Sequence, residues 1–436
     1  MIEHDEIFRI RTRRRPGTLA RVLAAIGEHG AHIGEIETIA VSQEFNVRDV
    51  TVIAPGDDAI DVIRESIEAL DGVELVEHST DKVFAIHEGG KIAITSTVEV
   101  RTLQDVREVY TPGVARVSQA IAEDPAMADT HTWRGRTVAI VTDGSRVLGL
   151  GDIGPAASLP VMEGKALFYS ILVGLNAVPI VLGTSDPSEI IDTVIRIAPG
   201  FGGIHLEDIA SPGVYEIEET LIEQLDIPVM HDDQHGTAVV VLAAVRSAAR
   251  ILGREIEEMT FGQVGLGAAG SAIATLASEF PFKRILASDP SEAAASRIDR
   301  DRIDARHSDD GLEWVLAEAD VVSLTTGRPG LLDPSLIREG QVIVALSNPV
   351  PEITVAAARA AGAAIAADGS VVNNVLAYPG LFKGALAASA PAITTAMRRA
   401  AAEALSDLAP DSELLPDPLD RAVHIAVTER VQQAAG

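Results

Sequence analysis

The chain has 436 residues, enough for two or three domains with cores of ordinary size, and 47% of them are apolar. Its 64 acidic residues against 35 basic give a formal net charge of -29, a surface that repels polyanions and argues against nucleic-acid binding. No cysteine occurs, which removes disulfides, thiolate nucleophiles and cysteine metal sites and agrees with a cytoplasmic protein.

Taken from the N-terminus, MIEHDEIFRI lacks the basic-then-apolar order of a signal peptide. No apolar run reads as long and uninterrupted enough to span a bilayer, so a soluble, unexported chain with no membrane partner is expected. FRIRTR then alternates as a strand does, which makes the basic run at residues 9–15 one charged face of that strand. PGTLARVLAAIGEHG sets Leu19, Val22, Leu23 and Ile26 at helical spacing, with Pro16 suited to the helix start. Two strand-like runs follow, HIGEIETIAV and NVRDVTVIA, then a helix with Ile60, Ile63, Ile67 and Leu70 on one face, then GVELVEHS as a closing strand. The order βαββαβ over residues 1–88 predicts a ferredoxin-like, split βαβ domain.

A connector rich in glycine and β-branched residues, IHEGGKIAITSTVEV, leads into residues 89–235. There apolar strands alternate with glycine-rich turns and helical stretches, as in TVAIVTDGSRVLGLGDIGP, MEGKALFYSILVGL, AVPIVLGTSD, GGIHLEDI and IPVMHDD. This alternation predicts an α/β domain on a mainly parallel sheet, with its chemistry beyond the carboxyl ends of the strands. Residues 236–400 open with a helix, GTAVVVLAAVRSAARILG. They continue through EMTFGQVGLGAAGSAIATLASEF and the strand-like RILASD, ADVVSLTT, QVIVALSNP and AAIAADG, the pattern of a Rossmann-type doubly wound sheet. The C-terminal segment, 401–436, is alanine-rich and helical, broken by Pro410, Pro416 and Pro418.

Gly265, Gly267 and Gly270, with Ala268 and Ala269 between, form G-x-G-x-x-G between a strand and a helix. The first glycine permits the turn, the second the approach of a pyrophosphate, and the third close helix–strand packing. Asp289 ends the next strand, where a carboxylate accepts hydrogen bonds from an adenosine ribose. It leans the choice toward NAD, while Arg297 or Arg300 downstream leaves room for the ribose phosphate of NADP. Two acidic pairs stand at consecutive strand ends. Glu207, Asp208 and Asp233 are expected to hold Mg2+ or Mn2+, and Asp232 to orient a base beside them. His231 and His235, with no third histidine near, are expected to support that site rather than bind the ion.

The first domain, with RPGTLARV followed by HGAHI, resembles an ACT domain, the small module that binds amino acids or similar effectors. Gly17, Gly30 and His32 lie where such modules form their ligand crevice. A ferredoxin-like unit used only for dimer contacts is the alternative. The rest of the chain resembles the bacterial malic enzymes through VYTPGVA, VTDGSRVLGLGDIGP, LPVMEGKALF, IHLEDI, PVMHDDQHGTA, LSNP and VNNVLAYPG, in that order over about residues 85–400. That resemblance implies oxidative decarboxylation of (S)-malate to pyruvate and carbon dioxide, with NAD or NADP as acceptor and a divalent metal. It implies Lys165 as general base and Tyr110 as general acid. Asn348 is implied near the nicotinamide and substrate, and Asn374 and Arg146 on substrate. A homodimer or higher homo-oligomer is also implied. A malolactic enzyme, making lactate from malate, and a retired effector sensor are the competing readings.

Overall fold

The computed structural model describes residues 4–76, 80–147, 149–298 and 301–436. It divides into two compact units, Met1–Ala93 and Ile94–Gly436.

The first unit runs β1 (His4–Arg13), α1 (Thr18–Glu28), β2 (His32–Val41), β3 (Phe45–Ala54), α2 (Asp57–Glu68) and β4 (Val73–Leu75). A two-residue β5 (Thr80–Asp81) and a short α3 (Lys82–His87) complete it. The sheet is antiparallel in the order β2-β3-β1-β4, with β5 also on β1, which is the split βαβ arrangement. Alternation along β1 buries Phe8 and Ile10, while Arg9 turns to pair with Asp49 at 2.8 Å. Val22 and Ile26 of α1 and Ile60, Ile63 and Ile67 of α2 close the core over that face. The closing strand is shorter than its sequence suggested, and residues 77–79 of the run lie outside the described residues. Every residue of β2 is exposed, Ile33, Ile36 and Ile39 included.

The second unit begins with an arm, residues 94–131, that carries α4 (Leu103–Val109), α5 (Val114–Glu123) and α6 (Met127–His131), none of which has a buried residue. Then come β6 (Thr137–Thr142), α7 (Gly154–Phe168, continued by a π turn over Tyr169–Val173), β7 (Asn176–Val181), α8 (Pro187–Ile197), β8 (Gly203–Leu206), α9 (Gly213–Gln224) and β9 (Val229–His231). All pairs in this sheet are parallel, in the order β7-β6-β8-β9. Helices cover both faces, so β6 and β8 are buried along their whole length and read as unbroken apolar runs.

From β9 the chain passes directly into α10 (Asp232–Ile251). Beyond it lie β10 (Thr260–Val264), α11 (Ala268–Ala277), β11 (Arg284–Asp289), α12 (Glu292–Ser296), β12 (Ile303–His307), α13 (Gly311–Glu318), β13 (Val321–Leu324), β14 (Val342–Ala345), α14 (Val355–Ala360) and β15 (Ile365–Asp368). The parallel order β12-β11-β10-β13-β14-β15 is that of the dinucleotide-binding doubly wound fold. Helices α15 (Tyr378–Ala387), α16 (Thr395–Leu408) and α17 (Arg421–Gln433) pack together and against α10, sharing one hydrophobic core with both sheets.

The expected boundaries at 235/236 and 400/401 fall inside α10 and α16, which run unbroken through both positions. One segment, Gly154–Val173, is long and apolar enough by length and composition to cross a membrane. It also carries Glu163 and Lys165, and its Met162, Ala166 and Tyr169 lie in the core of the second unit.

Candidate active site

The acidic pairs stand where parallel strands end. Glu207 and Asp208 follow β8, and Asp232 and Asp233 form the first turn of α10 after β9. The loop after β6 braces them. Arg146 N–H donates to the Asp208 carbonyl at 3.0 Å, and Ala210 N–H to Ser145 Oγ at 2.9 Å. Asp208 adopts φ +52°, a left-handed conformation unusual for a non-glycine residue and held by these bonds. Carboxylate oxygens of Glu207, Asp208 and Asp233 lie within 4.8 Å of one another and line one cavity of about 480 Å3, the size of a small-ligand site. Burial pushes the Asp233 carboxyl up, but His231, whose Nε2 lies 3.1 Å from Asp233 Oδ2, brings it down to about 2. Three carboxylates so close, when ionised, repel one another unless a cation sits among them. Their all-oxygen donor set, open to the cavity on one side, fits Mg2+ or Mn2+ with room for water and a small ligand.

A second cluster lies behind the first. Lys165, from α7, places Nζ 2.6 Å from Asp232 Oδ2 and 2.9 Å from Glu207 Oε1, with the Tyr378 ring 4.8 Å away. Burial pushes the ammonium's pKa down, yet Asp232 and Glu207 overcome it and hold the value well above that of free lysine. A general base was expected to be a lysine lowered in pKa, and the two carboxylates here act in the other direction. Asn374 joins this cluster, its Nδ2 3.3 Å from Asp232 Oδ2 and 3.1 Å from Thr237 Oγ1.

Several residues here went unread in the sequence. His205 bridges Tyr169 Oη (2.8 Å) and Glu207 Oε2 (2.6 Å), fixing the Glu207 carboxylate from behind while Oε1 meets Lys165. Its signal was faint: a histidine two residues before Glu207 in a buried strand shares that residue's side of the sheet. Glu218 of α9 is buried and accepts from His231 N–H (2.7 Å), Gln234 Nε2 (2.8 Å) and His235 Nε2 (3.1 Å). Its signal was plainer, since it occupies an apolar-stripe position beside Val214, Ile217 and Leu221.

The glycine turn sits at the other end of the same cavity, which Gly267, Ala268, Ala269 and Asn348 also line. Gly265 has φ +87°, and a Cβ there would meet the Thr325 carbonyl at 2.8 Å. At Gly270 a Cβ would come within 1.9 Å of the Gly265 carbonyl, whereas at Gly267 it would meet nothing within 4 Å. The middle glycine thus leaves open space for a ligand. Asp289 accepts from Leu266 N–H and Ser291 N–H, both at 2.7 Å, so part of its carboxylate is already committed to the turn. Arg297 lies over the Tyr215 ring, and Arg300 lies outside the described residues.

Arg146, Lys165, Asn348 and Asn374 all line the cavity. Tyr110 does not. It caps α4 on the arm with 69% of its surface exposed, near Leu103 at 84% and other uncovered apolar side chains.

The segments that line this cavity, with their acidic cluster, buried lysine and glycine turn, lie within stretches that match known proteins. Residues 89–188 match the family model described as malic enzyme, N-terminal domain, and residues 229–329 match the D-isomer specific 2-hydroxyacid dehydrogenase, NAD binding domain. NAD-dependent malic enzyme 1 of Bacillus subtilis is 48% identical over 421 residues, spanning 96% of this chain and 95% of that one. The NAD-dependent malic enzyme of Geobacillus stearothermophilus is 41% identical over 435 residues, 95% of this chain and 90% of that one. Among solved structures, an NAD-dependent malic enzyme from Thermotoga maritima superposes with a TM-score of 0.74 at 37% identity, covering 81% of this chain and 99% of that one. With relatives this similar over nearly its whole length, and with their two matched domains built around one cavity, the chain belongs to the malic enzyme family.

Proposed function

We propose that the chain catalyses the oxidative decarboxylation of malate to pyruvate and carbon dioxide, with NAD or NADP reduced. The observation that supports this most is the single cavity shared by Glu207, Asp208 and Asp233 at one end and Gly267 at the other, with Lys165 between. Bound there, a divalent ion supplies a Lewis acid for the substrate's oxygens and the nicotinamide supplies a hydride acceptor. Lys165 takes the proton of the C2 hydroxyl as the C2 hydride leaves. Of the two carboxylates that hold its pKa up, Glu207 also belongs to the three-acid cluster, so engaging it there would weaken that hold. Asp232 and Asn374 keep the ammonium aimed after it has gained the proton. Arg146 and Asn348 orient the carboxylates of malate at the cavity wall. Loss of carbon dioxide from the oxidised product leaves the enolate of pyruvate, which needs a proton at C3.

Tyr110 is the group we assign to that protonation. Its position supports a further reading, that the arm is completed by a second copy of the chain. Ile94, Leu103 and Val109 are exposed alongside Tyr110, an apolar surface that a homodimer or higher homo-oligomer covers. The exposed apolar residues of β2 support the same assembly through the first unit, as does its topology for an ACT-like role in binding an amino acid or similar effector.

A malate assay with NAD and with NADP, each with and without Mn2+, tests the reading. Metal-dependent growth of the reduced-nicotinamide absorbance, matched by pyruvate, is the expected result. Turnover to lactate with no absorbance change, or undiminished turnover in chelator, refutes it.

A further inference from the structure

Across α10 from the active-site cavity lies a second one, of about 180 Å3, between α9, α10, α11 and the start of α16. Two polar atoms in its walls are buried without a hydrogen-bond partner among the described residues. Arg398 donates to His235 Nδ1 and to Thr395 Oγ1 (2.9 Å), but its buried Nε has no hydrogen-bond partner. Tyr215 Oη, in the same wall, is also buried without a partner. Arg297 lies 4.7 Å over the Tyr215 ring and donates to the Leu266 carbonyl at 3.4 Å. Neither arginine forms an ion pair among the described residues, in a chain with 64 carboxylate side chains to 35 basic ones. The nearest acid in the wall, Glu219, is exposed at the mouth beside Thr275.

Arg398 is largely buried with only the more distant charges of Glu218 and Glu279 to offset it, while Arg297 is exposed at the edge of the same cavity, so an anion entering there would meet one desolvated guanidinium and one free to turn toward it. Burial indeed holds the Arg398 pKa below that of a free arginine, against the pull of Glu218. We infer that this cavity binds a small oxyanion, a phosphate or a carboxylate, between Arg398 and Arg297, apart from the malate cavity. Guanidinium forks suit that chemistry, and the volume admits inorganic phosphate or a short carboxylate but no nucleotide.

The site reaches both halves of the catalytic cavity. Arg398 bonds His235, His235 bonds Glu218, and Glu218 accepts from the backbone of His231, which contacts Asp233. On the other side, Arg297 holds the Leu266 carbonyl, between Gly265 and Gly267. An anion that recruits both arginines therefore acts on the metal ligand and on the glycine turn together.

The test is calorimetric titration of the full chain, saturated with NAD, with inorganic phosphate in one arm and succinate in the other. Saturable binding of at least one is expected, and the part of it that Arg398→Gln removes, as distinct from any succinate held in the malate cavity, identifies the oxyanion class. Arg398→Gln weakens it about tenfold or more, and Arg398→Lys restores part of the loss. Thr275→Trp, at the exposed mouth, blocks entry with both arginines in place, and decides the matter if Arg398→Gln does not fold. Absence of binding in both arms, or binding unchanged by Arg398→Gln or by Thr275→Trp, overturns the inference. Because the readout is heat of binding rather than turnover, its failure is separate from failure of the malate reaction.

Discussion

Replacing Glu218 with glutamine keeps the shape of the side chain and removes one charge from the network behind Asp233. Burial pushes the Glu218 carboxyl up, but His235 and the His231 backbone pull it further down, from 4.5 to about 2. A folded-state value below the unfolded one stabilises the fold above the unfolded pKa and ceases to do so as pH falls toward the folded value. At roughly 1.4 kcal/mol per unit, the charge is worth about 3 kcal/mol at pH 7. His235 is itself held down by burial and by Arg398, so at neutral pH it gives Glu218 a hydrogen bond rather than a full charge, which makes that figure an upper bound. The expected loss for Glu218→Gln is therefore about 2 to 3 kcal/mol at pH 7, typical of a buried bond set to a charged group. Near pH 3 roughly half of it is gone, because the unfolded wild type has taken up its proton. Urea unfolding of both proteins at pH 7, 5 and 3, followed by circular dichroism, measures the difference. A loss under about 0.5 kcal/mol at pH 7, or one that does not shrink with pH, refutes the reasoning.

Lys165→Ala is expected to lower malate oxidation by about a thousandfold while NAD and Mn2+ still bind, as fluorescence and spin-resonance titrations show; near-native turnover removes the lysine from the base role. Tyr110→Phe strikes protonation of enolpyruvate harder than reduction of oxaloacetate, and the reverse pattern in the two half-assays sinks the acid assignment. Asp233→Asn reduces Mn2+ affinity by about tenfold or more, so an unchanged titration places the ion elsewhere. Gly270→Ala drives a Cβ into the Gly265 carbonyl and displaces the turn. NAD affinity falls while Mn2+ affinity holds, and equal losses of both point to general unfolding instead.

How much of this was open to a reader of the sequence depended on whether the signal was local. The βαββαβ order, the glycine turn and the acidic pairs are short patterns whose meaning is set by strand ends, and each stands in the structure at such an end. The edge strand β12 escaped notice because IDARH is half polar, as an edge permits. Lys165 could be assigned a role by its motif but not a protonation state. That depends on Asp232 and Glu207, 67 and 42 positions away, arriving at 2.6 and 2.9 Å. Tyr110 belongs to the same class: a motif names it, while its exposed place on the arm is a matter of tertiary arrangement. The cavity between Arg297 and Arg398 has no sequence signature, since it arises where helices from three parts of the chain meet.

Fourteen of the twenty residues of α10 are buried, with two acidic side chains of the active site on its first turn and α11 and α16 packed along its length. One helix thus ties the carboxylate cluster at its first turn to the helix that follows the glycine turn. Severing the polypeptide at the apparent motif junction would split that helix, leaving each fragment with a raw apolar stripe. Swapping cofactor modules between relatives will succeed only if the graft carries the whole helix along with the residues that nest against it.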